Sequence, residues 1–157
     1  MVNLTTIQEV IKYIAQNKEE LGIALFAPAT DSEIKQFEKK LKIKLPDDIK
    51  EFYQWCNGFE SAEDIFRIVP LDEALRYSGE LNKHEFYIAE YMIYSDMWAV
   101  NIDPIDNSYN IMEYSFKTVL TNSYVDFLNC FLTGGVFEKD GLYDWKDKIV
   151  NGSSTDL

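Results

Sequence analysis

The chain has 157 residues, 46% of them hydrophobic, 27% charged and 15% aromatic, which is the size and composition of one compact domain and excludes a disordered, fibrous or two-domain protein. Fifteen Lys and Arg against 27 Asp and Glu leave a net charge of −12, a balance that opposes a phosphate backbone, excludes nucleic acid as an expected ligand and suits a basic partner. No run approaches ~18 consecutive apolar residues, and the N-terminus lacks the basic start, apolar stretch and small-residue cleavage site of a secretion signal, so neither a membrane span nor export is expected.

From Thr5, the apolar residues Ile7, Val10, Ile11 and Ile14 recur at the spacing of one helical stripe, predicting an amphipathic helix to about Asn17. After Ala27-Pro28-Ala29, the run Thr30-Asp31-Ser32-Glu33 reads as a helix start, a capping residue followed by acids in the first turn. Ile34, Phe37 and Leu41 form its stripe. Leu45-Pro46-Asp47-Asp48 restarts the chain, because proline fits the first turn of a helix and acids there complement the dipole. The third helix carries Ile49, Phe52, Tyr53 and Cys56 and ends at Asn57-Gly58, residues that tolerate the left-handed conformation.

Beyond Gly58 the period changes. Short strands are predicted over residues 66–69, 86–94, 97–102 and 109–116, with one or two helical turns over 71–77, and the short links between the later strands require antiparallel neighbours. Tyr124, Phe127, Leu128, Phe131 and Leu132 make a strongly apolar helix that should pack on the sheet and end at Gly134-Gly135. Leu142, Trp145 and Ile149 have helical spacing, and residues 151–157 read as a frayed tail,. Helices, then antiparallel strands, then helices again is an α+β arrangement. Cys56 and Cys130, 74 residues apart with no CxxC spacing, read as two buried free thiols of a reducing compartment, and so of the cytoplasm.

The segment from Asp31 to Gly58 resembles the start of a SUKH domain, the superfamily of bacterial toxin-immunity proteins and fungal regulators of cell-wall glucan synthesis. The resemblance is carried by Glu38 and Leu41, by the turn Leu45-Pro46-Asp47-Asp48, by Phe52, and by Asn57-Gly58; downstream, Phe66-Arg67-Ile68-Val69-Pro70-Leu71 and the Trp98 strand are similar to the family's sheet. It implies a single domain over residues 1–150, recognisable over about 28–133, with a mostly antiparallel sheet of about six strands flanked by helices. It also implies binding rather than catalysis. The fungal branch is distinguished by long flanking regions that this chain does not show, which favours the bacterial immunity reading. Leu45, Pro46, Phe52, Asn57 and Gly58 serve packing and a turn, so they identify the fold and not the site.

Catalytic and cofactor chemistry finds little to work with. The single histidine, His84, sits in the charged run Asn82-Lys83-His84-Glu85 and reads as a solvated loop residue,. One His and two distant Cys do not make a zinc site, no phosphate-binding glycine motif occurs, and the loop 103–110 lacks the spacing of a calcium loop. Paired carboxylates such as Asp96 and Asp103 could flank a sugar bond in a hydrolase, but among 27 acids some pair always lies close, so the pair alone carries no assignment,. No catalytic residue, metal or cofactor is therefore expected.

Charge is the remaining signal. Residues 30–51 are neutral, whereas residues 58–113 hold twelve acids against three bases, a net of −9. Those acids are either dispersed solubilising charge or a binding face. Taken as a face, with tyrosine anchors among the acids, the partner-binding candidates are Glu60, Glu63, Asp64, Glu90, Tyr94, Asp96, Asp103 and Asp106. The expected partner is a cognate basic toxin domain; the alternative is an endogenous protein held by a cytoplasmic regulatory or scaffold module.

Overall fold

Thr6 opens the first helix by accepting the Glu9 N–H on its hydroxyl, and α1 (Ile7–Leu21) runs past the expected Asn17 to Gly22, whose φ of +65° supplies the left-handed cap,. The computed structural model describes residues 2–155, with side chains to Gly152. Thr30 and Glu33 form the reciprocal capping box that starts α2 (Asp31–Leu41),, and Pro46 precedes α3 (Asp47–Trp55), which ends one residue before Cys56 because Cys56 is extended. Gly58 is required where it stands: its φ is +96°, and a Cβ there would lie 2.3 Å from the Ile68 carbonyl oxygen,. The neighbouring Asn57 side chain accepts the Leu71 N–H at 2.9 Å, which ties the fold motif to the start of α4 (Leu71–Arg76).

Seven strands form one sheet in sequence order, each antiparallel to the next: β1 (Ile23–Leu25), β2 (Phe59–Ser61), β3 (Phe66–Ile68), β4 (Glu85–Tyr91), β5 (Asp96–Ile102), β6 (Tyr109–Glu113) and β7 (Thr118–Thr121). The α+β class and the single antiparallel sheet agree with expectation, with one strand more than the six implied. The strand expected over 86–94 stops at Tyr91 because Met92, Ile93 and Tyr94 all have positive φ. The one expected over 109–116 stops at Glu113, where a turn at residues 114–117 leads into β7. The three strands not foreseen have only three or four residues each, too few to display a period.

Alternation along the strands divides the sheet into two faces. Phe59, Phe66, Trp98, Val100 and Ile111 point into the core, where α1, α3, α5 (Tyr124–Gly134) and the start of α6 (Leu142–Thr155) cover them. Phe66 stacks on Phe131 at 4.1 Å between ring centroids, and Phe52 meets Tyr124 edge-on at 5.4 Å,. The second face carries Glu60 of β2, Arg67 of β3, Glu90 and Tyr87 of β4, Ala99 of β5 and Met112 of β6. Helix α4 and the 3₁₀ turn Ser78–Glu80 cover part of it. Helix α6 continues to Thr155, into the segment read as a tail, of which residues 156 and 157 lie outside the described residues. No helix among the described residues is long and apolar enough to cross a membrane.

Candidate functional site

On the second face of the sheet one cation holds Glu90, a candidate acid, and Glu73, which is not one. Arg67 on β3 donates from Nε to Glu90 Oε1 at 2.9 Å and from its terminal nitrogens to Glu73 of α4, which also accepts the Tyr94 hydroxyl. Burial works against the Arg67 charge, but the bonds to Glu73 and Glu90 outweigh it and hold the guanidinium firmly protonated,. Burial likewise raises the Glu73 carboxyl, and Arg67 and Tyr94 reverse that and leave it below the ordinary range. From this network the rings of Tyr77, Tyr94, Tyr87 and Tyr114 succeed one another at centroid separations of 4.9, 5.8 and 5.5 Å, ending with Lys117 over Tyr114 at 3.3 Å,. The Tyr87 phenol, desolvated by burial and facing Glu80, is pushed up to about 12.

The eight candidate residues separate into three groups. Glu60 and Glu63 are exposed at the end of the sheet where residues 62–65 and 92–95 turn, and Tyr94 is half-buried above Arg67. Glu90 and Asp96, expected on an exposed face, are instead 2% and 5% exposed; Glu90 is consumed by Arg67 and by the Tyr94 N–H at 2.7 Å. Asp64 turns inward and accepts the Val136 N–H at 3.3 Å, bracing the loop after α5. Asp103 and Asp106 are exposed at the opposite end of the sheet, where they accept the N–H groups of Ile105 and Ser108 at 2.9 Å and shape their own loop.

Asp96 lies on the core face, not the second face. It accepts the hydroxyls of Ser115 at 2.7 Å and Tyr143 at 2.6 Å, while Glu113, wholly buried beside it, accepts the N–H groups of Ser115 and Phe116. Burial and the Asp96 carboxylate push the Glu113 carboxyl up to about 7. Burial also raises Asp96, but hydrogen bonds from Glu113, Tyr143 and Ser115 overcome it and leave Asp96 below its ordinary value. The two carboxyls resemble an acid and base pair in titration only: they line neither the cleft between α2 and α4 nor the one at the 62–65 and 92–95 turns, and they act as a clasp between β5, β6 and α6. Asp96 and Asp103 bracket β5, roughly 20 Å apart at strand rise, far beyond the ~5–10 Å that glycoside cleavage requires.

Other expectations meet a more structural outcome. His84 is half-buried, with Nδ1 at 3.3 Å from the Leu41 carbonyl. Cys56 is buried and Cys130 half-buried, and burial raises both thiols to about 12, which disfavours the thiolate in each,. Ile65, Met92 and Ile93, outside the candidates that charge and tyrosine content single out, are exposed apolar residues at hairpin tips. The run Tyr91-Met92-Ile93-Tyr94 did hold a signal, because four consecutive apolar residues cannot alternate as a half-buried strand must. A family model described as SMI1 / KNR4 family (SUKH-1) matches residues 28–115, more than half the chain, spanning α2 to the turn after β6. No curated protein matches the chain.

Proposed function

The chain belongs to the SMI1 / KNR4 family (SUKH-1), and from that premise we propose that it is a bacterial immunity protein of the cytoplasm. It binds a cognate basic toxin domain, a nuclease among the candidates, and neutralises it by covering its active site. The family match carries the reading, because membership supports a protein-interaction or immunity-type role in general. The net of −9 over residues 58–113 supports the sign of the partner's charge,. Residues 1–150 act as one binding domain without a catalytic step of their own, and a complex of ordinary stability would bury about 1,600 Å² in total.

The test is capture of the tagged chain from its source cells at low and at high salt, followed by an activity assay of whatever co-purifies. A basic toxin domain that the chain inhibits at one-to-one stoichiometry supports the reading. Recovery of resident cytoplasmic proteins alone replaces it with a regulatory module, and a toxin bound equally at both salt concentrations removes the electrostatic part.

A further inference from the structure

Ile65 and Ile93 are 53% and 88% exposed, both have a φ of +53°, and both line one cleft of about 370 Å³ at the end of the second face. Isoleucine suits such a position poorly: its branched Cβ crowds the left-handed region, where Gly or Asn sits comfortably, and half or more of it stays in water,. Met92, also at positive φ and exposed, joins the two tips by donating its N–H to the Ile65 carbonyl at 3.0 Å. Ala24 and Ala62 complete the apolar wall.

The charge around this wall has one sign to spare. Arg67 is held by Glu73 and Glu90, while Glu60 at the cleft and Glu63 nearby are exposed with no ion pair among the described residues. Three carboxylates, Glu60, Glu73 and Glu90, therefore face one guanidinium. The larger cleft between α2 and α4, about 640 Å³, sets Glu33 and Asp72 against Lys40 and Arg76 and offers no such bias.

We propose that the cleft between the 62–65 and 92–95 turns receives a lysine or arginine side chain of a basic protein partner, together with an adjoining apolar residue. The aliphatic stem lies against Ile65 and Ile93, the cationic head reaches Glu60, and the neighbouring apolar side chain covers Met92. This deepens the immunity reading and rests on it, because a toxin domain rich in basic residues supplies such a segment.

The probe is a capped Leu-Arg-Leu peptide titrated into the full chain carrying ¹³C-labelled isoleucine methyls, with Leu-Glu-Leu as control. Saturable shifts at Ile65 and Ile93 with the arginine peptide alone are expected, weakened about fivefold by Glu60→Gln and further by about 0.5 M salt. The Ile93→Ser variant should lose the response while the methyl of buried Ile34 stays in place, reporting an intact fold. Equal shifts with both peptides, shifts confined to other isoleucines, or no shift at millimolar peptide overturn the proposal. So does self-association abolished by Ile93→Ser, which would make a second copy the occupant. A toxin domain that binds Glu60→Gln and Ile93→Ser with unaltered affinity overturns the cleft and leaves the immunity role standing. Peptide binding by a chain that captures no toxin does the reverse.

Discussion

Ile93 spends stability in two ways at once, holding a branched side chain at positive φ and leaving it in water. Ile93→Asn should therefore raise the urea midpoint, by about 0.5–1 kcal/mol in unfolding free energy, since the left-handed region penalises asparagine less and no packing is lost. A fall in the midpoint would show that the tip packs against something the free chain provides. Two buried tyrosines allow a sharper comparison. Tyr53 donates its hydroxyl to the Val69 carbonyl at 2.7 Å, linking α3 to the residue after β3, whereas the Tyr124 hydroxyl, equally buried, has no hydrogen-bond partner among the described residues. Tyr53→Phe should cost about 1–2 kcal/mol because it strands a buried carbonyl, and Tyr124→Phe should be neutral or stabilising, as judged by thermal denaturation. Equal losses in both would mean that ring packing, which the two share, decides the outcome.

The clasp of Asp96, Glu113 and Tyr143 gives the β5–β6 hairpin and α6 a titration of their own. Glu113 holds its proton to about pH 7 when folded, against an ordinary value of 4.5, so its contribution is fully present below pH 4.5 and is lost as pH rises through 7. Asp96 has the opposite sense, contributing above its ordinary 3.8 and losing that contribution as pH falls further. Chemical denaturation should accordingly show stability declining by about 2 kcal/mol between pH 5 and 8, and Glu113→Gln should flatten the slope. A slope that survives the substitution places the titrating group elsewhere. None of this clasp was legible in the sequence, because it joins residues from β5, β6 and α6 that no local pattern connects. The helices were legible, since Thr30 with Glu33 and Pro46 with Asp47 mark their starts through local chemistry. The sheet was legible in kind but not in count, because β1 and β2 are shorter than the window a period needs. Net charge located the candidate face only coarsely: Glu90 and Glu60 stand two strands apart on one face, yet pairing with Arg67 buries the first and leaves the second exposed.

For the molecule as a whole, the acids that remain outward at the turn end are Glu60 and Glu63, and a partner approaching that end meets their field first. Reversing both to lysine should slow association with a basic partner about tenfold at low salt and flatten its salt dependence, with little change in dissociation. Unchanged association in stopped-flow measurements would remove the pair from the interface. Asp64 does not belong in that set, because its carboxylate supports Val136 and fills the space beside Gly135, so its reversal reports on folding. The sheet has a further property. Every strand pairs only with its neighbours in the sequence, and the edge strands β1 and β7 stand just inside α1 and the α5–α6 pair at the two ends of the chain. Once a terminal helix is drawn away, tension on that end opens each hairpin from its edge, breaking ladder bonds one after another instead of shearing many together. A processive unfolding enzyme drawing on α1 or α6 would meet a succession of small resistances, the firmest of them the docking of the helix it holds.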